Sequence, residues 1–363
     1  MRALVIIALV VLSACAPRGR LDYHPDREAP ARAIFVGSTR ADLRHPESPE
    51  AFGRSEALQL GRFDVSVPPM HQPGEITYPS AHEAPDPQTD FLVSRAAIYS
   101  QPTAFRADLR RELARNGGEA IVFVHGYNTT FVEGLYRLAQ LGKDFELPGV
   151  LLHYSWPSRG HVMGYAYDRD SALFARDGFE EFLRELRAAG ARRILIVGHS
   201  MGAALTMETL RQMAIAGETE TISRLAGVVL ISPDIDVDVF RAQARRIGKL
   251  PQPFLIFTSQ RDKALGLSSR ISGEQTRLGN LQDVSAVADL KLTIVDVGAF
   301  NTGEGHFNVA TSPALIALLG ETGRVAAVLE GEQSEHRNLF SGVVLSVQNV
   351  TQIVLAPVEA LAN

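Results

Sequence analysis

Residues 194–202 read Ile-Leu-Ile-Val-Gly-His-Ser-Met-Gly, and residues 203–207 continue as Ala-Ala-Leu-Thr-Met. Four aliphatic residues in a row predict a short buried strand, and the run after the second glycine favours a helix. The pattern G-x-S-x-G between a strand and a helix is typical of a sharp turn that exposes the serine hydroxyl. Gly198 and Gly202 fit this turn, because side chains at these positions would clash. Ser200 would then stand at a helix N-terminus, where the dipole stabilises negative charge. We therefore predict that Ser200 is a nucleophile.

Similar apolar runs recur on both sides of this turn. They occupy residues 121–124, 150–154, 194–197, 227–231, 254–257 and 292–295, with earlier strand candidates at 33–36 and 62–67. Helical stretches are predicted at residues 104–116, 131–146, 170–189, 201–216, 264–272 and 308–319. Strands buried on both faces and alternating with helices predict an α/β fold, with a mostly parallel central sheet flanked by helices on both faces.

The chain is long enough for two domains, but the strands form one series. Its 363 residues are 45% hydrophobic and 21% charged, with a net charge of −5. This composition excludes a wholly disordered protein and lacks the basic footprint of a nucleic-acid-binding protein. We predict one α/β domain over residues 33–320, which includes an N-terminal extension. Residues 321–363 form a C-terminal extension whose role stays open: a docked element, a partner surface or a membrane contact.

Serine becomes a strong nucleophile when a base takes its proton, and that base is usually a histidine oriented by a carboxylate. In folds that carry this serine turn, the acid and the base follow the nucleophile along the chain. Two histidines follow Ser200. His306 lies in a glycine-flanked loop past the strand at 292–295, whereas His336 lies in a charged segment. His306 is the predicted base.

Two aspartates are candidates for the acid. Asp262 follows the strand at 254–257, where this fold most often places its acid, and Asp234 follows Pro233 one strand earlier. An aspartate after proline also commonly caps a turn or a helix. Loop position favours Asp262, and Asp234 remains the alternative acid.

An oxyanion hole would require two backbone N–H groups. Met201, directly after the nucleophile, is predicted to supply one. Tyr127, in the His-Gly-Tyr-Asn loop after the strand at 121–124, is predicted to supply the other, with Asn128 as a possible helper.

These motifs resemble those of bacterial α/β-hydrolases of a largely uncharacterised esterase/lipase-like family. The similar segments are residues 63–68, 124–128, 154–160, 165–172, 232–240 and 262–265. The resemblance spans residues 33–320 and implies the α/β-hydrolase fold and its catalytic machinery.

The ends of parallel strands are also where ligands bind in open α/β sheets. We predict that Asn128, Trp156, Arg159 and Tyr165 line a substrate pocket there. For Trp156 the alternative is that it covers the edge of the sheet.

The predicted function is a membrane-anchored serine hydrolase that cleaves small-molecule or lipid esters through an acyl-enzyme. An amidase or thioesterase with the same triad is one alternative. A non-catalytic envelope-binding protein is another. No metal or organic cofactor is predicted, because the sequence has no paired cysteines, no H-E-x-x-H and no strand followed by G-x-G-x-x-G.

The N-terminus predicts how the protein reaches a membrane. Met1-Arg2 precedes ten uncharged apolar residues, too few to span a bilayer but suited to a secretory signal. Leu-Ser-Ala-Cys at residues 12–15 resembles a bacterial lipobox and contains the only cysteine, Cys15. We predict a signal peptide over residues 1–14, lipidation of Cys15 and a tether over residues 15–32. The alternative is an ordinary secretory signal. Ala16 is not the aspartate associated with inner-membrane retention, which favours the outer membrane of a bacterial envelope.

Overall fold

Eleven strands in the described part of the chain form one sheet. The computed structural model describes residues 19–22, 31–273, 277–300, 306–320, 342–347 and 350–355. The strands are β1 (Ala31–Arg40), β2 (Arg54–Ser66), β3 (Leu92–Tyr99), β4 (Glu119–Val124), β5 (Val150–Ser155), β6 (Arg193–His199), β7 (Leu225–Ile231), β8 (Phe254–Thr258), β9 (Leu292–Asp296), β10 (Gly342–Val347) and β11 (Val350–Leu355). Their order across the sheet is β10-β11-β9-β8-β7-β6-β4-β5-β1-β2-β3. Cys15, the predicted signal peptide and His336 lie outside the described residues.

Helices cover both faces of this sheet. They are α1 (Pro102–Arg115), α2 (Phe131–Asp144), α3 (Tyr165–Phe174), α4 (Arg176–Ala189), α5 (Met201–Ala216), α6 (Thr219–Ile222), α7 (Val237–Ile247), α8 (Lys263–Ser272), α9 (Asn308–Thr311) and α10 (Pro313–Gly320). Helices α1, α4, α5 and α7 bury their apolar faces on one side, and α2 and α10 pack on the other. The predicted fold class, an α/β-hydrolase fold with a mostly parallel sheet between two helical layers, is confirmed.

Alternation along the central strands supplies both cores. In β4, Val122 and Val124 point into the core under α1, α4, α5 and α7, whereas Ile121 and Phe123 point into the core under α2. Successive strand side chains face opposite sides, so a strand covered on both faces must be apolar throughout. This explains why residues 120–124 of β4 form a continuous apolar run.

The order of the central strands brings two functional loops together. β4 pairs in parallel with β5 on one side and β6 on the other, and Val124 is level with Gly198 in the β4–β6 register. The carboxyl ends of these strands therefore meet at one edge, and the strand order changes direction at β4. Such a point opens a crevice above the sheet. The loops after β4 and β6 carry Tyr127 and Ser200.

The structure differs from the predicted elements in several places, one of which is the helix predicted over residues 308–319, observed as α9 and α10. The single helix predicted over residues 170–189 is two helices, α3 and α4, which meet at Ala175. There the hydroxyl of the buried Tyr154 donates to the carbonyl of Ala175 at 2.6 Å, a tertiary contact that local helix propensity does not report. The antiparallel strand β3 was not predicted, and it pairs only with β2 at the sheet edge. In the C-terminal extension, β10 and β11 form a hairpin, and β11 pairs in parallel with β9.

Candidate active site

Ser200 occupies a strained turn between β6 and α5. Its backbone has φ 52° and ψ −120°, a region that costs a non-glycine residue about 1–3 kcal/mol. Hydrogen bonds on both sides hold it there: its N–H donates to the carbonyl of Ile231 at 2.9 Å, and its carbonyl accepts from the N–H of Asp234 at 3.2 Å. The loop after β7 thus braces the turn after β6.

Glycine is required on the helix side of this turn. A Cβ at Gly202 would lie 2.2 Å from the carbonyl oxygen of His125 and 2.4 Å from that of Val124. On the strand side, a Cβ at Gly198 would lie 2.9 Å from the Cα of Ala203. The close approach of backbone segments accounts for the two glycines of the motif.

His306 and Asp262 form a hydrogen-bonded pair beside the serine turn. Nδ1 of His306 lies 2.8 Å from Oδ2 of Asp262, while Oδ1 of Asp262 accepts from the N–H of Leu265 at 2.9 Å. The Asp262 side chain is fully buried, and the His306 side chain is 19% exposed. The His306 ring lies 4.9 Å, between centroids, from that of His199, the residue next to Ser200. The three residues predicted as a triad therefore gather at one edge of the sheet.

The alternative acid, Asp234, belongs to a different set of contacts. Its carboxylate accepts from the hydroxyl of Tyr165 at 2.9 Å and that of Ser268 at 2.7 Å. It also faces the guanidinium of Arg277 at 3.4 Å. Burial and the Asp234 carboxylate raise the pKa of Tyr165 to about 12, so the phenol stays protonated and donates. Among the contacts described, the carboxylate that reaches His306 is that of Asp262.

The predicted oxyanion donors lie on two backbone segments that flank Ser200. Met201 is the first residue of α5, and Tyr127 lies in the loop after β4. Gly126 brings this loop against the serine: a Cβ there would lie 3.0 Å from the Cβ of Ser200. Asn128 follows in a left-handed conformation, with φ 55°. The loop therefore passes against the nucleophile at Gly126 and turns sharply two residues later.

Three buried histidines surround this centre. Burial lowers the pKa of His125 and His199 well below the usual range, and burial together with Arg40 lowers that of His153 to about 3. His199 stacks on Phe307 with ring centroids 3.8 Å apart, which anchors the segment that carries His306. The lowered pKa values favour the neutral form of all three imidazoles at neutral pH. Both ring nitrogens of His125 also lie within hydrogen-bond distance of backbone carbonyls, Gly126 at 2.9 Å and Trp156 at 3.1 Å.

The four predicted pocket residues have different positions. Trp156 is fully buried, stacks on His125 at 4.9 Å and donates from Nε1 to the His125 carbonyl at 2.7 Å. It therefore supports the loop after β4 from within the core. Tyr165 contacts Tyr127 edge to face at 5.4 Å. Arg159 is exposed and lies 4.2 Å over the ring of Tyr167.

Sequence reasoning assigned no role to Arg40 and Asp168, both of which are fully buried next to the loop after β4. The charge of Arg40 did not distinguish it, because β1 also contains Arg32 and ends in the polar run Ser38-Thr39-Arg40. In the described residues, no three His, Cys, Asp or Glu side chains are arranged to hold a metal ion. The helices of that same part include none with the length and apolar character needed to cross a bilayer.

A family model described as alpha/beta hydrolase of unknown function (DUF900) matches residues 101–322, more than half of the chain. The chain belongs to this family of alpha/beta hydrolases. The matched segment contains Ser200, Asp262 and His306. A search of curated proteins gave no match to the hydrolase.

Two solved structures are remotely similar to the hydrolase. The first is Trichoderma reesei cutinase in complex with a C11Y4 phosphonate inhibitor, with 14% identity, 37% of this chain and 66% of that chain covered, and a TM-score of 0.24. The second is a lipase-esterase related protein from Clostridium acetobutylicum ATCC 824, with 14% identity, 49% and 73% coverage, and a TM-score of 0.23. Both likenesses are too remote to bear on activity.

Proposed function

We propose that the hydrolase cleaves carboxylic esters through a Ser200–His306–Asp262 triad and an acyl-enzyme. The observation that carries the proposal is the hydrogen bond between His306 and the buried Asp262, beside a serine held at φ 52°. A buried carboxylate on Nδ1 selects the histidine tautomer whose Nε2 is free to accept a proton.

In the proposed reaction, His306 takes the proton of the Ser200 hydroxyl as the oxygen attacks the acyl carbonyl. The N–H groups of Met201 and Tyr127 stabilise the oxyanion of the tetrahedral intermediate. His306 then protonates the departing alkoxide, which leaves the acyl group on Ser200. Water attacks this acyl-enzyme as His306 takes its proton; His306 then returns that proton to the Ser200 oxygen as the acyl–oxygen bond breaks, and the carboxylic acid is released.

Exposed apolar side chains near Tyr127 favour an apolar substrate. Val162 and Met163 are 59% and 84% exposed. Their loop is joined to the predicted oxyanion loop because the hydroxyl of Tyr127 donates to the Val162 carbonyl. We propose that an acyl chain or an apolar alcohol bound at this site contacts these two side chains.

Labelling with a fluorophosphonate probe tests the nucleophile. We expect one probe per chain, attached at Ser200, together with hydrolysis of p-nitrophenyl esters, and neither result in Ser200→Ala. Folded protein that neither labels nor hydrolyses these esters would contradict the proposal and favour the non-catalytic envelope-binding protein. Matched ester, thioester and amide substrates then distinguish an esterase from a thioesterase or an amidase.

We also propose that Cys15 carries a lipid anchor that holds the enzyme at the bacterial outer membrane. The support is the lipobox-like sequence at residues 12–15. Two or more acyl chains would give stable attachment, since each buried methylene contributes about 0.8 kcal/mol. Cells fed an alkyne-bearing palmitate should label the wild-type protein and not Cys15→Ser, and only the wild type should fractionate with outer membranes. An unlabelled wild-type protein in the soluble fraction would contradict the anchor.

A further inference from the structure

Two buried charged residues hold the loop that contains Tyr127. Arg40 ends β1, and Asp168 lies in α3; both are fully buried. Ser158, also fully buried, lies between them and contacts both. We call Arg40, Ser158 and Asp168 the loop-holding network.

Arg40 uses three of its donors on groups at the carboxyl edge of the sheet. Its Nε donates to Oγ of Ser155 at 2.9 Å, one Nη to the carbonyl of Ser158 at 2.8 Å, and the other Nη to the carbonyl of Thr129 at 3.0 Å. The guanidinium thus joins the loop after β5 to the loop after β4.

Asp168 uses both carboxylate oxygens on the same two loops. Oδ2 accepts from the hydroxyl of Ser158 at 2.7 Å and from the N–H of Asn128 at 3.2 Å. Oδ1 accepts from the N–H of Arg159 at 2.8 Å. The hydroxyl oxygen of Ser158 in turn accepts from the N–H of Thr129 at 3.1 Å.

These contacts converge on the three consecutive peptide groups that follow Tyr127. The Asn128 N–H, the Thr129 N–H and the Thr129 carbonyl each bond to one member of the network. Asn128 is held at φ 55°, a conformation that needs outside support in a non-glycine residue. Burial raises the pKa of Asp168 and lowers that of Arg40 to about 10, while the opposite charge of each favours the ionised form of the other. Burying the charges of Arg40 and Asp168 costs free energy. The network places these charges beside the loop whose backbone orientation sets the direction of the Tyr127 N–H.

We propose that Asp168, supported by Ser158 and Arg40, is a positioning residue that fixes the Tyr127–Asn128 and Asn128–Thr129 peptides and so directs the Tyr127 N–H at the acyl carbonyl. This inference rests on the proposed ester hydrolysis. Asp168 touches no reacting atom; its effect passes through the loop.

Kinetics of Asp168→Asn test the inference. An amide has one acceptor oxygen where the carboxylate has two, so at least one loop contact is lost. We expect kcat for a p-nitrophenyl ester to fall about 100-fold, as for the loss of an oxyanion donor, with KM within about threefold of wild type. The matched control is Ser171→Ala, which removes a hydrogen bond to Arg54 from the same helix and should leave kcat within about twofold. A wild-type kcat in folded Asp168→Asn would overturn the proposal.

Ser158→Ala is the second variant, for use if Asp168→Asn fails to fold. It retains the charges of both Arg40 and Asp168, so neither charge loses its oppositely charged neighbour. It removes the acceptor of the Thr129 N–H, and we expect kcat to fall about 10-fold with KM again little changed. A rise in KM of about 10-fold with unchanged kcat would indicate a substrate-binding role and overturn the positioning role.

Hydrogen exchange separates this inference from the proposed function. In both variants the amides of residues 127–130 should exchange at least about 10-fold faster than in wild type, while β4 and α2 retain their protection. Unchanged exchange in the loop would overturn the inference even if the enzyme is an esterase. If the wild type hydrolyses no ester, the proposed function fails, and the exchange result alone decides whether the network fixes the loop.

Discussion

Nδ1 of His306 lies 2.8 Å from Oδ2 of Asp262, although 44 residues separate them in the sequence. The loops after β8 and β9 bring them together, because these strands are neighbours and run parallel. Asp234, one strand further away, bonds instead to Tyr165 and Ser268. The two candidate acids therefore differ in what they hold: one orients the histidine, and the other joins α3 to α8.

This difference predicts unequal effects on turnover. Asp262→Asn should lower kcat about 10⁴-fold, because the amide no longer fixes the histidine tautomer. Asp234→Asn should lower kcat less than about 10-fold and act mainly on stability, because Arg277 loses its partner charge. Steady-state kinetics check both variants, measured at a temperature equally far below the thermal unfolding midpoint of each. A larger loss of kcat in Asp234→Asn than in Asp262→Asn would reverse the assignment.

Gly202, the second glycine of the serine turn, is expected to tolerate no side chain. In Gly202→Ala the new methyl carbon would lie 2.2 Å from the carbonyl oxygen of His125, so α5 or the loop after β4 must move. We expect a lower unfolding midpoint and a kcat at least about 100-fold lower, because both oxyanion donors lie on the displaced segments. Gly266→Ala in α8 is the control: its Cβ would meet open space, and stability should hold or rise by up to about 1 kcal/mol. Equal behaviour of the two variants would contradict the steric argument.

Met163 and Val162 are expected to favour long acyl chains. The double variant Val162→Ser with Met163→Ser removes apolar contact area, which is worth about 25 cal/mol per Å². The ratio of kcat/KM for an octanoate ester to that for an acetate ester should fall several-fold, with the acetate value nearly unchanged. Ile215→Ser, at the far end of α5 from Ser200, removes a similarly exposed side chain and should leave the ratio unchanged. A ratio that does not change in the double variant would exclude these side chains from the acyl site.

His153 predicts a pH dependence of stability. Burial and Arg40 lower its pKa in the folded chain to about 3, from an ordinary value of 6.5. Between these two pH values the unfolded chain binds a proton at this residue and the folded chain does not. The contribution of His153 to the free energy of unfolding therefore falls as the pH falls, by about 1.4 kcal/mol per pH unit.

His153→Leu removes this contribution, so wild type should lose stability relative to the variant as the pH is lowered from 5.5 to 4. Urea unfolding at half-unit pH steps measures the free-energy difference between the two proteins. His82→Gln, which replaces an exposed side chain, should parallel wild type. A constant difference between wild type and His153→Leu across this range would contradict the prediction.

Local sequence was sufficient to predict an element when the residues that define it are contiguous in the chain. The aliphatic runs predict β4 to β9 because strands buried on both faces must be apolar throughout. The serine turn was readable because its strand, two glycines and helix are contiguous. Helices α3 and α4 were joined in the prediction because the contact that separates them comes from Tyr154 on β5. The edge strand β3 lacked a continuous apolar run because several of its side chains face solvent.

The sequence by itself determined the fold class, the nucleophile candidate and the candidates for acid and base. The fold class and nucleophile depend on local residue patterns, and the acid and base candidates depend on chain order after Ser200. Only the tertiary structure decided which aspartate reaches His306, and that Trp156 lies inside the core. It also brought Arg40, Ser158 and Asp168 onto one loop. The physical reason is that hydrogen bonds between buried polar groups depend on distances of about 3 Å between atoms far apart in the chain. Strand order, helix packing and loop conformation together set those distances.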